Sequence, residues 1–465
     1  MTGPSSLRTS LENLLGPGAV TFSPYHAPDD LHDESLHPVA IEPFAVTYPT
    51  TTDQVAEIAR LATRHRLPMT ARGSGTGLSG GAVPIPGGLV VSFARMNRIR
   101  SLDADDHIAV VEAGVTLRDL DAALEPHGLR YPVYPGETSG SLGGNVNTNA
   151  GGMRAVRHGV TRHHVTGLEA VLADGTVVTT GGPVVKNSSG YDLTQLIIGS
   201  EGTLALVTAI TLRLSPRLAH TATVLAPFED LRSAAAAVPP LVASGLEPSI
   251  VEYVDLVTMA AITSASGLTL GIAPAIAART SAYLVIVLET RTREQLDADL
   301  EHLSALLGGR GVLDVYVLEG AMAQRLIEAR ERLFWVSKAA GANDLIDVVV
   351  PRSRVPAFLA AATDIAARFD ALVAGCGHIG DGNVHLSVFQ PDDERRRALM
   401  LALLGEGVRL GGQISGEHGI GRDKQAPYLA LTDPTLVELQ RRIKLAFDPW
   451  RLLNPYRHLD ERAAP

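Results

Sequence analysis

One cysteine, Cys376, is all that a chain of 465 residues carries. A single thiol closes no internal disulfide and builds neither a thiolate zinc site nor an iron–sulfur cluster. Any such electron relay belongs to another protein, and Cys376 reads as a small buried residue. Excess basic charge is missing as well. Lys and Arg number 40 against 50 Asp and Glu, a formal net charge of −10. That argues against nucleic acid and anionic membrane as main partners. Long apolar runs are absent too. A spanning helix needs about 20 mostly apolar residues. The longest candidate, 268–288, is broken by Gly271, Pro274, Arg279 and Ser281. No apolar segment follows basic residues at the N-terminus, so no secretory signal is expected. The expectation is a cytoplasmic protein, with peripheral docking on a membrane partner left open.

What is present describes a folded chain. Hydrophobic residues make up 45% and charged residues 19%, which separates it from disordered sequences. The length calls for two or three domains. Residues 1–40, rich in Pro, His and Asp, read as an N-terminal extension. Helical spacing of Val55, Ile58, Ala59 and Ala62 predicts a helix over Thr52–Arg66, between strand-like segments, and Asp174-Gly175 predicts a hairpin. After Pro216 the pattern shifts to repeated β-α-β units. The expected architecture is α+β: 41–216 as one domain, 217–455 as a second with a sheet covered by helices on one side, and 456–465 as a tail.

Glycine loops carry the first chemical signal. Gly75, Gly77 and Gly80 satisfy G-x-G-x-x-G, but the dinucleotide fingerprint needs a helix directly afterwards. Pro84 and Pro86 follow instead, and no Gly-Lys-Ser/Thr is present. A second match, Gly375, Gly377 and Gly380, runs into a strand. These failures remove a nicotinamide-dependent Rossmann enzyme. A strand–loop–strand rich in exposed N–H groups survives, and such a loop forms an anion nest. Residues 136–152 (GETSGSLGGNVNTNAGG) hold one charge, Glu137, which suits a ligand lining better than a surface loop.

Histidines carry the second signal. His378 and His385 flank the turn Gly380-Asp381-Gly382-Asn383, so a strand–turn–strand folds the rings together, and Asp381 serves the turn. Glu417 and His418 follow in a second Gly-bounded loop. A lone histidine among 15 is ordinarily a core or surface residue. Two imidazoles and a carboxylate, however, match a catalytic site for a Zn- or Mn-like ion with open positions.

RGSGTGLSGG, SLGGNVNTNAGG, KNSSGYDLTQLIIGSEGTLALVT and FDPWRLLNP together resemble the vanillyl-alcohol-oxidase-type FAD-binding family. Within it the chain is most similar to the D-lactate dehydrogenase, glycolate oxidase FAD-subunit and D-2-hydroxyglutarate dehydrogenase branch. The resemblance implies a two-subdomain FAD-binding domain followed by a substrate domain with a mainly antiparallel sheet. It implies that Gly73, Ser74, Gly75, Thr76, Gly77 and Leu78 hold the pyrophosphate. Gly143, Gly144, Asn145, Thr148 and Asn149 would line the ribityl chain and flavin ring. Glu201, Gly202 and Val207 would line the adenosine side, and Asn454 would sit near the ring. Arg72, Pro135 and Ser141 complete the cofactor set. Some relatives attach FAD through a loop histidine; Ser74 and Thr76 stand in that region here, so non-covalent FAD is expected.

The same resemblance implies His378, His385 and Glu417 as ligands of a divalent metal, zinc or manganese. His418 matches the general base, Asn383 a substrate-contacting amide, and Arg330 the cation that binds the substrate carboxylate. The implied reaction is oxidation of a D-2-hydroxy acid, with hydride passing to flavin N5 and electrons to an external acceptor such as a quinone, cytochrome, electron-transfer flavoprotein or iron–sulfur subunit. The D-2-hydroxyglutarate enzymes carry a Thr and a Lys after the arginine. Phe334 and Leu345 stand at the matching places, which favours a smaller or more apolar acid, such as D-lactate, glycolate or a longer 2-hydroxy acid. An oxygen-using oxidase and an accessory electron-transfer flavin subunit stand beside this reading; the full set of His378, His385, Glu417, His418 and Arg330 argues against the second.

Overall fold

The computed structural model describes residues 4–37 and 39–455; the expected tail, 456–465, lies outside them. Helix Thr52–His65 buries Val55, Ile58, Ala59 and Ala62, the apolar positions that predict it. Thr51 caps its start, and Arg66 ends it in the left-handed region, one residue earlier than expected. The buried face shares a core with a four-stranded sheet ordered Val20–Phe22, Ala45–Thr47, Leu89–Ser92, Met69–Arg72. The last three strands run parallel.

The first forty residues are more than an extension. Helix Pro4–Leu15 buries Leu7 and Leu11 in the same core, and Val20–Phe22 pairs with Ala45–Thr47. Leu7 and Leu11 give a helical face too short to stand out among the prolines and histidines that follow.

A second, antiparallel sheet is ordered Ile99–Asp103, Ile108–Glu112, Leu206–Arg213, Val165–Val171, Val177–Gly181. Its last pair is the hairpin expected at Asp174-Gly175, with Gly175 at φ +81°. The short helix Leu193–Ile197 precedes the central strand Leu206–Arg213. Helix Leu142–Thr148, where the sequence suggested a ligand lining, packs Leu142 and Val146 into the core of this second sheet. Ser141 caps it and Asn149 closes it at φ +52°.

The remainder forms a seven-stranded sheet ordered Tyr316–Leu318, His220–Phe228, Ala282–Thr290, Ile250–Asp255, Leu372–Gly377, Asn383–Phe389, Asp344–Val349. All of its pairings are antiparallel. Alternation along each strand sorts the two faces. Ile346, Val348, Val384 and Leu386 join helices Leu231–Val242, Val355–Arg368 and Asp393–Arg409 in the main core. The opposite face carries Glu252, Cys376, His385 paired with Asp347, and Ser387 paired with Leu345. Part of that face is also covered, by helices Leu256–Ser266 and Gly320–Glu331, so the cover is two-sided rather than one-sided.

Arg130 grips Glu289 through both guanidinium ends at 2.7 and 2.8 Å and ties the seven-stranded sheet to the first half. At the far end the chain returns: Leu453 bridges Met69. Among the described residues no helix is long and apolar enough to cross a membrane.

Candidate active site

The loop after Met69–Arg72 lies against the N-terminus of helix Leu142–Thr148. A Cβ on Gly73 would collide with Ser141 Oγ, and one on Gly143 would fall 2.8 Å from Ala113. These missing side chains let the walls pack closely, and together they line a cleft of about 1260 Å³, adjoining solvent included. Among the described residues, the backbone N–H groups of Ser74 to Leu78 donate to no protein group. Asn145 Nδ2, buried in the cleft wall, has no partner either. Unclaimed donors in a side-chain-free cradle fit a phosphate-bearing, polyhydroxyl cofactor.

Most of the expected cofactor residues line this cleft. Gly73, Ser74, Gly75, Thr76, Gly77 and Leu78 form one wall. Pro135, Ser141, Gly143, Gly144, Asn145 and Thr148 form another, and Glu201, Gly202 and Val207 a third. Three stand outside. Arg72 turns away to the carbonyls of His32 and Asp29 and braces Gly75 from behind. The Asn149 carboxamide accepts from Arg162 N. Asn454 donates to the carbonyls of Gly81 and Glu201, which anchors the returning segment, while its Oδ1 is buried without a partner.

Glu201 does more than line the cleft. Its carboxylate accepts from the N–H groups of Ile420 and Gly421 at 2.8 and 2.7 Å. Ser79 binds the same loop through the carbonyls of His418 and Gly419. The cleft and the Glu417-His418 loop are therefore one mechanical unit.

A second cavity of about 870 Å³, adjoining solvent included, meets the first at Thr76, Leu78, Pro135, Glu137, Glu417 and His418. The hairpin places the rings of His378 and His385 with centroids 4.9 Å apart. Glu417 Oε1 lies 3.0 Å from His378 Nε2 and 3.3 Å from His385 Nε2. His418 stacks on His385 at 5.0 Å. These groups, with Arg330, Phe334 and Leu345, line the cavity. Asn383 does not: its amide donates to Asp347 Oδ1 and Val348 O, buried behind the hairpin. Asp381 holds the turn by accepting from Asn383 N, as its sequence setting suggests.

Two carboxylates that the sequence reading passed over organise the cluster. Glu252 accepts from Arg330 Nε at 2.7 Å and contacts His378 Nδ1 at 2.6 Å, so one buried group orients both. Asp347 Oδ2 accepts from the N–H groups of Gly416, Glu417 and His418 and lies 3.4 Å from Lys424 Nζ. Each is an acid in the middle of a largely apolar strand, VEYVD or LIDVVV, and a buried charge demands a partner.

Burial works against the Glu417 carboxylate, yet His378 and His385 hold it well below the usual carboxylate range. Burial works likewise against Glu252, and Arg330 with His378 overcomes it. Burial pulls the His418 imidazole down to about 4, against the pull of Asp347, so the ring is neutral near pH 7. Ligand atoms of His378, His385 and Glu417 converge within 4.8 Å, as do those of Asp347, His385 and His418. The first set, with two imidazoles and a carboxylate facing the cavity, has the donor chemistry of a catalytic divalent-ion site.

Fold and cleft together define a flavin-binding oxidoreductase. Residues 43–181 match the FAD binding domain family, and residues 217–458 match the C-terminal domain of FAD linked oxidases. The chain belongs to the FAD-linked oxidases and is an enzyme of that family. It is 52% identical over 427 residues to a FAD-linked oxidoreductase of Mycobacterium tuberculosis named as uncharacterised, covering 92% of this chain and 93% of that one. It is 36% identical over 423 residues to glycolate oxidase subunit GlcD of Bacillus subtilis, covering 89% and 88%. It is 36% identical over 421 residues to D-lactate dehydrogenase of Archaeoglobus fulgidus, covering 90% and 92%. Among solved structures, p-cresol methylhydroxylase with substrate bound superposes with a TM-score of 0.79 at 18% identity, covering 100% and 99%. The expected two-domain fold of the vanillyl-alcohol-oxidase type is the fold of this chain.

Proposed function

We propose that the enzyme oxidises a D-2-hydroxy acid to the 2-oxo acid. One observation carries the reading. A cavity holding a buried arginine, a His–His–Glu cluster and a neutral histidine opens directly onto the cofactor cleft at Glu417 and His418. FAD bound in that cleft supplies the hydride acceptor. The Ser74 and Thr76 loop offers no histidine or cysteine to bond the flavin, so the cofactor is held non-covalently.

Each residue then has a task. The Arg330 guanidinium pairs with Glu252 through Nε at 2.7 Å and Nη2 at 2.6 Å, lines the cavity, and binds the substrate carboxylate there. His378, His385 and Glu417 would hold a divalent ion, zinc or manganese, whose chemistry there would be to make a nearby hydroxyl more acidic. Neutral His418 takes the hydroxyl proton. Asp347 fixes the loop that presents Glu417 and His418. Phe334 and Leu345 give the cavity no second cation, which favours an acid with one carboxylate. The M. tuberculosis relative has no assigned reaction, while the B. subtilis and A. fulgidus relatives carry names for oxidation of glycolate and D-lactate. The test is dye reduction by the FAD-loaded enzyme on D- and L-2-hydroxy acids, with and without a chelator. Turnover of the D-acids that the chelator abolishes is expected. Turnover that survives the chelator removes the metal from the reading, and no turnover on any 2-hydroxy acid removes the substrate.

A further inference from the structure

A third cavity of about 910 Å³, adjoining solvent included, lies where the two halves of the chain meet. Strands His220–Phe228, Ile250–Asp255 and Ala282–Thr290 line it with Thr223, Ile250 and Val287, and helix Gly320–Glu331 with Ile327 and Glu331. Tyr134 and Arg154 close it from the first half. The Arg154 guanidinium lies over the Tyr134 ring at 4.7 Å. Its Nε is buried without a partner, and among the described residues no protein group accepts from its Nη groups. Burial pulls the guanidinium below its ordinary value, against the attraction of Glu289.

The other charges nearby are engaged. Glu289 gives both carboxylate oxygens to Arg130, at 2.7 and 2.8 Å. Arg157 donates to the Glu289 carbonyl and faces Glu247 at 4.0 Å. Glu331 accepts from the Tyr134 hydroxyl, and the exposed Glu328 accepts from Gln324 at 2.8 Å. Arg154 is left as a cation largely withdrawn from water with no acceptor, an arrangement that costs stability until a ligand supplies one. The Thr223 hydroxyl lines the same space and, among the described residues, has no protein partner either. Ile250, Val287 and Ile327 give the rest an apolar surface, which suits an organic acid better than a fully hydrated ion.

We infer that this cavity is a second carboxylate site, separate from Arg330, in which Arg154 takes both oxygens of a small monocarboxylic acid. Thr223 adds a neutral donor. Glu331 stands in the walls of both this cavity and the substrate cavity, so the two sites are neighbours across one side chain. Arg154 binds its carboxylate whatever substrate the flavin oxidises.

Equilibrium dialysis of labelled acetate against the FAD-loaded full chain tests this. Two acetates per chain are expected, one at Arg154 and one at Arg330. Arg154→Gln should weaken the first by about tenfold or more, since a charge-assisted pair is lost. Arg154→Lys, which keeps the charge and loses the planar fork, and Thr223→Val, which removes only a hydroxyl, should each weaken it by about threefold. FAD content and a thermal melt show that each variant is folded. If Arg154→Gln does not fold, the two milder variants decide, and unchanged binding in both overturns the site. No bound acetate, two acetates retained in Arg154→Gln, or a single acetate that only Arg330→Gln removes also overturns it. A single acetate that Arg154→Gln removes and Arg330→Gln leaves supports the site and removes the substrate role of Arg330. Inorganic phosphate should compete more weakly than acetate; phosphate that empties the Arg154 site at lower concentration overturns the carboxylate assignment.

Discussion

The cofactor cleft is built of backbone, and the cavity beside it is built of side chains. In the cleft, Gly73 and Gly143 matter for what they lack, and the donors are main-chain N–H groups of Ser74 to Leu78. In the cavity, His378, His385, Glu417, His418 and Arg330 matter for the groups they bring, and Glu252 and Asp347 hold them in place. A backbone site tolerates almost any side chain that points away and fails when one points in. A side-chain site fails when any member of its carboxylate frame is removed. The two share one hinge, the Glu417–Gly421 loop clamped by Glu201 and Ser79.

The largest effect should come from the side-chain site. His418→Ala is expected to lower turnover by about 10³-fold while the flavin spectrum and FAD content stay unchanged, because the base is removed and the cleft is not. Steady-state dye reduction and absorbance spectra check both halves; loss of FAD together with activity would mean that the two regions are not separable. Glu252→Ala comes next. It strands the buried Arg330 and His378 without their carboxylate, and a cost of about 3 kcal/mol in a denaturant melt is expected, with turnover reduced and FAD content retained. A melt within the error of the parent would show that Glu252 is not the frame described. The smallest effect belongs to the cleft. Gly73→Ala drives a Cβ into Ser141 Oγ and should weaken FAD binding by about tenfold, read by fluorescence titration. Ser141→Gly in the same chain removes the clash and should recover part of the loss. If the double variant binds no better than Gly73→Ala, the backbone contact is not what limits the cleft.

The same contrast explains what could be read before the fold was known. Backbone chemistry leaves a local signature: the run Arg72–Gly88 and the nearly uncharged 136–152 name their own role within a few residues. The hairpin His378–His385 is equally local, since its Gly-Asp-Gly-Asn turn brings the rings together. Glu252 and Asp347 are not local. Their partners are fixed by the order of strands in the seven-stranded sheet, which no spacing along the chain encodes. Their one visible mark, an acid within an apolar strand, says that a partner exists without saying which. Arg72 and Asn383 show the converse error. Each sits inside a motif, and each points its side chain into the scaffold: Arg72 to the carbonyls of Asp29 and His32, Asn383 to Asp347. Helix Leu142–Thr148 went unread because glycines at 143 and 144 lower helix propensity, while close packing of Gly143 on Ala113 requires the first of them.

The direct test of the account is a single turnover without oxygen. The FAD-loaded enzyme is mixed with D-lactate or a longer D-2-hydroxy acid, and the oxidised flavin band is followed. Bleaching by the D-acid and not by its L-enantiomer, lost in Glu417→Gln with FAD still bound, is the expected result. A flavin that stays oxidised with every D-2-hydroxy acid from three to eight carbons would contradict the claim that the two cavities form one oxidation site.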